Sequence, residues 1–190
     1  MNIKWYNTRF DMYLDFPTGA VGLELGVGKG QNACHLLTTT KPKELHLVDT
    51  WNTYHIGINF IAPENQYWEL DEPTYDEHIE KLFEKEISKK EVLTHKQDVF
   101  EFLAGCDDNS FDWAYVDDKH IYNHVKKELY EVIRVVKPGG IIAGHDFCIL
   151  RRGWGLGPVA AVLEHVQEGS LEIIGLSQEE YPSFMCKVKK

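Results

Sequence analysis

The chain has 190 residues, 43% of them hydrophobic and 12% aromatic, which suits one domain with a substantial core and is short for two. A formal charge of -10 works against a phosphate-tracking surface, because such a surface needs excess Lys and Arg on one face; the expected partner is a small neutral or cationic molecule, not nucleic acid. Cys34, Cys106, Cys148 and Cys186 form no C-x-x-C pair, and no run approaches the ~20 apolar residues of a membrane span, so a soluble, cytoplasmic protein with free thiols is expected.

Residues 1–19 mix charge and aromatics and read as an N-terminal segment ahead of a single domain. The first strand signal is Ala20 to Gly26, where Val21, Leu23 and Leu25 alternate. Gly26, Gly28 and Gly30 then break the pattern before a helix from Gln31 to Leu37, giving strand, tight turn and helix. Glu44 to Asp49 reads as the second strand. Thr74 with Glu77 makes a capping box, followed by Tyr75, Ile79, Leu82 and Phe83 on one helical face, while Lys81, Lys85, Lys89 and Lys90 read as a charged exterior. Val92 to His95 is a third strand, and Asp98 with Glu101 opens another helix. Phe111 to Asp117 is the fourth strand, followed by a helix burying Val125, Leu129, Val132 and Ile133. The turn Lys137 to Gly140 leads into the fifth strand, IIAG, and Pro158 starts a helix carrying Val159, Val162, Leu163 and Val166. Leu171 to Leu176 and Phe184 to Val188 complete seven strands; the short link between them requires an antiparallel hairpin.

Strands alternating with helices predict an α/β, Rossmann-like, doubly wound sheet, mostly parallel, with an antiparallel C-terminal hairpin strand. One stretch has no period: residues 50–72, with Trp51, Tyr54, Phe60, Tyr67 and Trp68, read as an aromatic-rich insertion that suits a lid or a binding surface. Ligands of such sheets sit beyond the carboxyl ends of the strands, which directs attention to Asp49, Gln97, Asp98, Asp117, His145 and Asp146. Asp98 is explained equally well as the cap of its helix.

The glycine spacing is not the dinucleotide G-x-G-x-x-G, since Gln31 stands where the third glycine would fall. The pattern E-x-G-x-G-x-G, Glu24 to Gly30, resembles the first motif of the class I S-adenosylmethionine-dependent methyltransferases. The resemblance runs from about residue 20 to the C-terminus. It implies that Glu24, Gly26, Gly28 and Gly30 hold the cofactor's methionine part, that Asp49 accepts the ribose hydroxyls, and that Gln97 and Asp98 meet the adenine. FDWAYVDDKHIYNHV and VVKPGGIIAGHDF resemble a small-molecule branch that reads I-D-G-D-H-x-Y and G-G-H-D, and also the metal-dependent catechol-type O-methyltransferases. On that likeness Asp117, His145 and Asp146 form a site for Mg²⁺ or Mn²⁺ that lowers the pKa of a substrate hydroxyl.

Lys119 departs from that pattern by replacing an acidic residue. The role of base then passes to Lys119 or His120, or metal activation suffices; His120 is the choice, because its ordinary pKa near 6.5 fits proton removal at neutral pH, with Asp117 and His145 as its catalytic neighbours. His124 is expected on a solvated face. Arg151, Arg152 and Trp154, in a glycine-rich loop, suit an anionic or sugar portion of the substrate. The expected activity is methyl transfer to a hydroxyl of a small molecule. A metal-independent enzyme and a cofactor-binding module without turnover are the alternatives; a homodimer is compatible with all of them.

Overall fold

A computed structural model describes residues 3–51, 72–148 and 157–190, with 72–76 described in backbone only. Arg151, Arg152, Trp154 and all of the aromatic insertion from 52 to 71 lie outside the described residues.

The chain alternates strands β1 (Lys4–Tyr6), β2 (Val21–Leu25), β3 (Glu44–Asp49), β4 (Val92–Lys96), β5 (Phe111–Val116), β6 (Val136–Gly144), β7 (Leu171–Ser177) and β8 (Phe184–Val188) with helices. These are α1 (Arg9–Met12), α2 (Gln31–Thr40), α3 (Glu72–Leu82), α4 (Glu84–Ser88), α5 (Val99–Ala104), α6 (Tyr122–Val135) and α7 (Gly157–Gln167). The strands form one sheet in the order β1-β7-β8-β6-β5-β2-β3-β4, parallel except for β8, which runs antiparallel to both β6 and β7. The Rossmann-like expectation holds, with eight strands among the described residues where seven were expected. The additional strand is β1, which adds to the outer edge of β7; three residues with only Tyr6 buried carry no legible period.

Each sheet face carries its own apolar layer. Leu23, Leu25, Ala114 and Ile142 meet α5, α6 and α7 through Leu103, Leu129 and Val162. Leu45, Leu47, Trp113 and Tyr115 meet Tyr13, Leu36, Ile79 and Phe83 on the other side. Period-2 alternation assigns successive side chains to the two layers, as a sheet covered on both faces requires.

Three local expectations are corrected. Lys137 to Gly140 is not a turn ahead of a strand but a bulge within β6: Phe111 pairs with Val136 while Trp113 already pairs with Ile141. The buried face of α7 is Pro158, Ala161, Val162 and His165, and Leu163 is exposed, because Ala161 and Val162 are what fit beneath the helix. The third helix begins at Glu72, ahead of the expected Thr74 cap; within it Ile79 is buried and Leu82 exposed, and Phe83, just past its end, is buried.

The glycine turn meets the end of β5 at Gly26. With φ at +80°, a Cβ there would lie 2.2 Å from the Asp117 carbonyl oxygen, so the two backbones touch where any side chain would separate them. Gly28, at φ +53°, faces open space. Gly26→Ala is therefore expected to cost about 2–5 kcal/mol, combining left-handed strain with overpacking, and Gly28→Ala about 1–2 kcal/mol from strain alone. Urea denaturation midpoints of the two variants check the contrast.

Candidate active site

Strand register lines up the functional residues. Leu25 pairs with both Val48 and Val116, and Val116 pairs with Gly144, so the next residues, Gly26, Asp49, Asp117 and His145, emerge side by side along one sheet edge. Backbone bonds continue the ladder: Gly26 N donates to Val48 O (3.0 Å), Asp117 N to Leu25 O (2.8 Å) and His145 N to Val116 O (3.2 Å). The strand order reverses at β2 and β5, which puts this edge at the switch point where open α/β sheets bind ligands.

At the glycine turn, Glu24 points into the interior with no exposed surface. Its Oε1 accepts from Asn32 Nδ2 at 3.0 Å, and Asn32 Oδ1 in turn accepts from the Tyr13 hydroxyl at 2.6 Å. Glu24 Oε2 is buried without a hydrogen-bond partner among the described residues. Burial pushes the carboxyl up to about 8, with Asp117 and Asp49 adding to the rise against Asn32, which opposes it.

Asp49 closes the turn from the other side. Its Oδ2 accepts from Val27 N and Gly28 N, both at 2.9 Å, and its Oδ1 from Trp51 N at 2.8 Å. Three of the roughly four acceptor sites of a carboxylate are thereby engaged. Trp51, at φ +45° and almost fully buried, donates its indole N–H to Gly28 O at 3.0 Å. The start of the aromatic run is thus part of the wall of the glycine turn.

Gln97 and Asp98 follow β4 as expected. Asp98 caps α5, its Oδ1 accepting from Phe100 N at 2.8 Å, and Gln97 N donates to Asp49 O at 3.1 Å. The residues expected at the adenine are therefore tied to the Asp49 strand end.

Asp117, His120 and His145 line a recess with Lys119 and Phe184, and Asp146 stands against the two histidines. His120 Nε2 lies 2.5 Å from Asp146 Oδ2 and 3.6 Å from Asp117 Oδ1. Burial alone would lower the imidazole, but the two carboxylates outweigh it and raise it to about 9. At neutral pH His120 is an imidazolium, contrary to the expectation of an unperturbed base. Burial opposes ionisation of Asp146 too, yet the two histidines hold its carboxyl well below the usual range. Asp146 takes φ +55°, an uncommon conformation for a residue with a Cβ, and that turn directs its carboxylate at His120.

His145 is oriented by a residue that the sequence reading left in the N-terminal segment. Arg9 Nη1 lies 2.5 Å from His145 Nε2. A guanidinium only donates, so Nε2 accepts and the ring proton sits on Nδ1, which is 3.5 Å from Asp146 Oδ1 and 3.9 Å from Asp117 Oδ1. The expected metal ligands were Asp117, His145 and Asp146; the three whose ligand atoms all lie within 4.8 Å of one another are Asp117, His120 and Asp146. Thr8 and Asp11 form a capping box that starts α1 at Arg9, and Arg9 N is held by Glu179 Oε2 at 2.7 Å; the box marks the start of the helix in the sequence but carries no sign of His145. His124 is not on a solvated face; it lies 2.8 Å from Asp118 Oδ2 and against the Phe100 ring.

A family model described as a methyltransferase domain matches residues 23–147. No curated protein sequence matches the chain significantly. Among solved structures the chain is similar to an O-methyltransferase family protein from Burkholderia thailandensis, with a TM-score of 0.64 at 12% identity over 96% of this chain and 55% of that one. It is also similar to a SAM dependent methyltransferase from Aquifex aeolicus (TM-score 0.59, 17% identity, 93% and 86% covered) and to a Streptococcus mutans protein in complex with SAH (0.63, 11%, 95% and 95%). At these identities the likeness is one of fold, and the chain spans little more than half the length of the Burkholderia protein.

The His120–Asp146 pair has a defined pH signature in metal-free protein. The raised histidine contributes stability fully below its ordinary pKa of 6.5 and loses it as pH rises through about 9; the depressed aspartate contributes above 3.8 and loses it as pH falls further. The pair's contribution is thus greatest between about 4 and 6.5. In EDTA, NMR titration of the His120 ring should give an apparent pKa near 9 that falls by more than one unit in Asp146→Asn. A wild-type value near 6.5 would mean that the ion pair does not form.

Proposed function

Because the chain belongs to the methyltransferase-domain family and has the class I fold of S-adenosylmethionine-dependent enzymes, we propose that it transfers a methyl group from that cofactor to a hydroxyl of a small molecule. The observation that carries this reading is the buried Glu24 Oε2, which has no partner among the described residues and stands beside a glycine turn whose middle glycine faces open space. A buried carboxylate oxygen left in that state is costly, and an ammonium group offsets the cost with a charge-assisted bond. An amino-acid-like moiety carrying such an ammonium fits there, with Asp49 retaining room for about one ribose hydroxyl.

When bound, the cofactor supplies an electrophilic methyl on a sulfonium. Gly26, Gly28 and Gly30 shape the turn that receives it, and Gln97 and Asp98 flank the expected base position. Asp117, His120, His145 and Asp146 hold the acceptor in line, an alignment that supplies most of the rate in transfers of this kind. Asp117, His120 and Asp146 fit a Mg²⁺- or Mn²⁺-type cation by donor chemistry and proximity, provided His120 gives up its proton. In a second reading without metal, Asp117 and His145 only position the acceptor, the His120 imidazolium offsets the charge of the two carboxylates, and the proton released from the hydroxyl passes to water.

S-adenosylmethionine should raise the melting temperature and NAD should not; Gly28→Val should abolish the rise by filling the space the ligand needs. Glu24→Gln should weaken cofactor binding about 10- to 100-fold in calorimetry, in line with loss of a charge-assisted bond. Formation of S-adenosylhomocysteine across a panel of phenol, sugar and polyketide alcohols tests turnover, and absence of product with every acceptor would leave a binding module. EDTA divides the two enzymatic readings: loss of activity restored by Mg²⁺ or Mn²⁺ supports the metal, and full activity in EDTA removes it.

A further inference from the structure

A second group of donors begins one residue beyond Asp117. Asp118, in the loop between β5 and α6, His124, in the first turn of α6, and Glu128, one turn later, each bring a ligand atom to within 4.8 Å of the others. His124 and Glu128 are spaced i, i+4, so one helix face presents both, while Asp118 meets them from the loop with its Oδ2 2.8 Å from His124 Nε2. The group is enclosed: the His124 side chain is 13% exposed, that of Asp118 24%, and Glu128 has no exposed surface.

Glu128 is the unexplained member. Both of its carboxylate oxygens are buried, and neither has a hydrogen-bond partner among the described residues. Removing a carboxylate from water without a partner costs several kcal/mol. Protonation would relieve the charge and still leave an O–H and a carbonyl oxygen without partners. Lys119 and His120 act on it only through space, and no Lys or Arg among the described residues bonds to it. What lies within reach is the His124–Asp118 pair, which supplies a nitrogen and an oxygen of the kind that, with Glu128, surrounds a metal ion.

We propose that Asp118, His124 and Glu128 bind a divalent first-row cation of the Zn²⁺ type, with water completing its coordination. One imidazole and two carboxylates form a borderline donor set suited to such an ion. Around an ion with bonds of ~2.0–2.2 Å tetrahedral donors stand ~3.3–3.6 Å apart, so the 2.8 Å Asp118–His124 contact would open slightly and admit the ion while Glu128, within 4.8 Å of both, completes the set. The cation would tie the start of α6 to the loop that carries Asp117 and His120, holding the active-site edge from behind. The inference does not depend on the methyl-transfer reading or on a metal at Asp117, since it uses none of those residues.

The test uses the full chain, stripped with EDTA and then dialysed, in an Asp146→Asn background that disables the other donor cluster. Calorimetric titration with Zn²⁺ should show one equivalent bound, accompanied by a rise in melting temperature, and Co²⁺ should give a visible d–d spectrum. Adding Glu128→Gln or His124→Ala should lower Zn²⁺ affinity about 100-fold or more and remove the spectrum, with the circular dichroism unchanged. Asp118→Asn, at the more exposed end of the group, is the alternative variant should either of the others fail to fold, and the same loss is expected of it. No Zn²⁺ bound in the Asp146→Asn protein, or equal affinity after Glu128→Gln or Asp118→Asn, overturns the proposal.

Discussion

The constraint on which the site depends is the contact between the glycine turn after β2 and the backbone at the end of β5. Parallel neighbours stand ~4.8 Å apart, and ordinarily side chains fill the space beyond their ends. Here the 2.2 Å that a Cβ on Gly26 would leave to Asp117 O means that the two chains remain in contact past the last ladder bond. Asp49 adds a third chain by accepting from Val27 N and Gly28 N. Three strand ends are thus locked together by backbone groups and the Asp49 carboxylate, and that lock fixes the positions from which Glu24, Asp49 and Asp117 reach into the site.

The same lock explains which parts of the site were legible in the sequence. Residues at the end of a strand or directly after it announce themselves, because alternation marks where the strand stops; Asp49, Asp117, His145 and Asp146 stand at such ends. The parallel order followed from strand-helix alternation, and the hairpin from a connection too short for a crossover. Residues brought in from elsewhere in the chain left no such mark. Arg9 reaches His145 across 136 positions of sequence, and it does so because β1 joins the far edge of the sheet and returns α1 over the active-site end. Asn32 and Trp51 matter through single bonds to Glu24 and Gly28, contacts that no periodicity encodes. His124 was misjudged because its helix face looks solvated until Phe100 of α5 is laid against it.

The pKa of His120 is not legible in the sequence for a related reason. A histidine's ordinary value is informative only when its neighbours are few, and Asp117 and Asp146 come from two different strand ends. Register alone makes them neighbours; the left-handed turn at Asp146 then brings its carboxylate within 2.5 Å of the ring. The two carboxylates overcome the desolvation that would otherwise lower the imidazole, so the geometry converts an expected base into a standing cation.

Charge gives this arrangement its direction. Glu24, Asp49, Asp117, Asp118, Glu128 and Asp146 converge on one end of a sheet, against Arg9, Lys119 and three histidines. Such a surplus of carboxyl groups in a partly buried crevice is tolerated in three ways: Asp146 is ionised and paired, Asp49 is bonded to backbone N–H groups, and Glu24 and Glu128 are pushed toward their neutral forms. The last two are the ones that a positively charged ligand would relieve. Arg9 relieves Glu24 only through space, because its Nη1 is bonded to His145 and holds that ring in one tautomer. His145 therefore directs an N–H toward Asp117 and Asp146, a geometry suited to positioning carboxylates, whereas a metal ligand needs a free lone pair there. That is why the donor set closes around His120, and why any cation entering between Asp117 and Asp146 must first displace a proton.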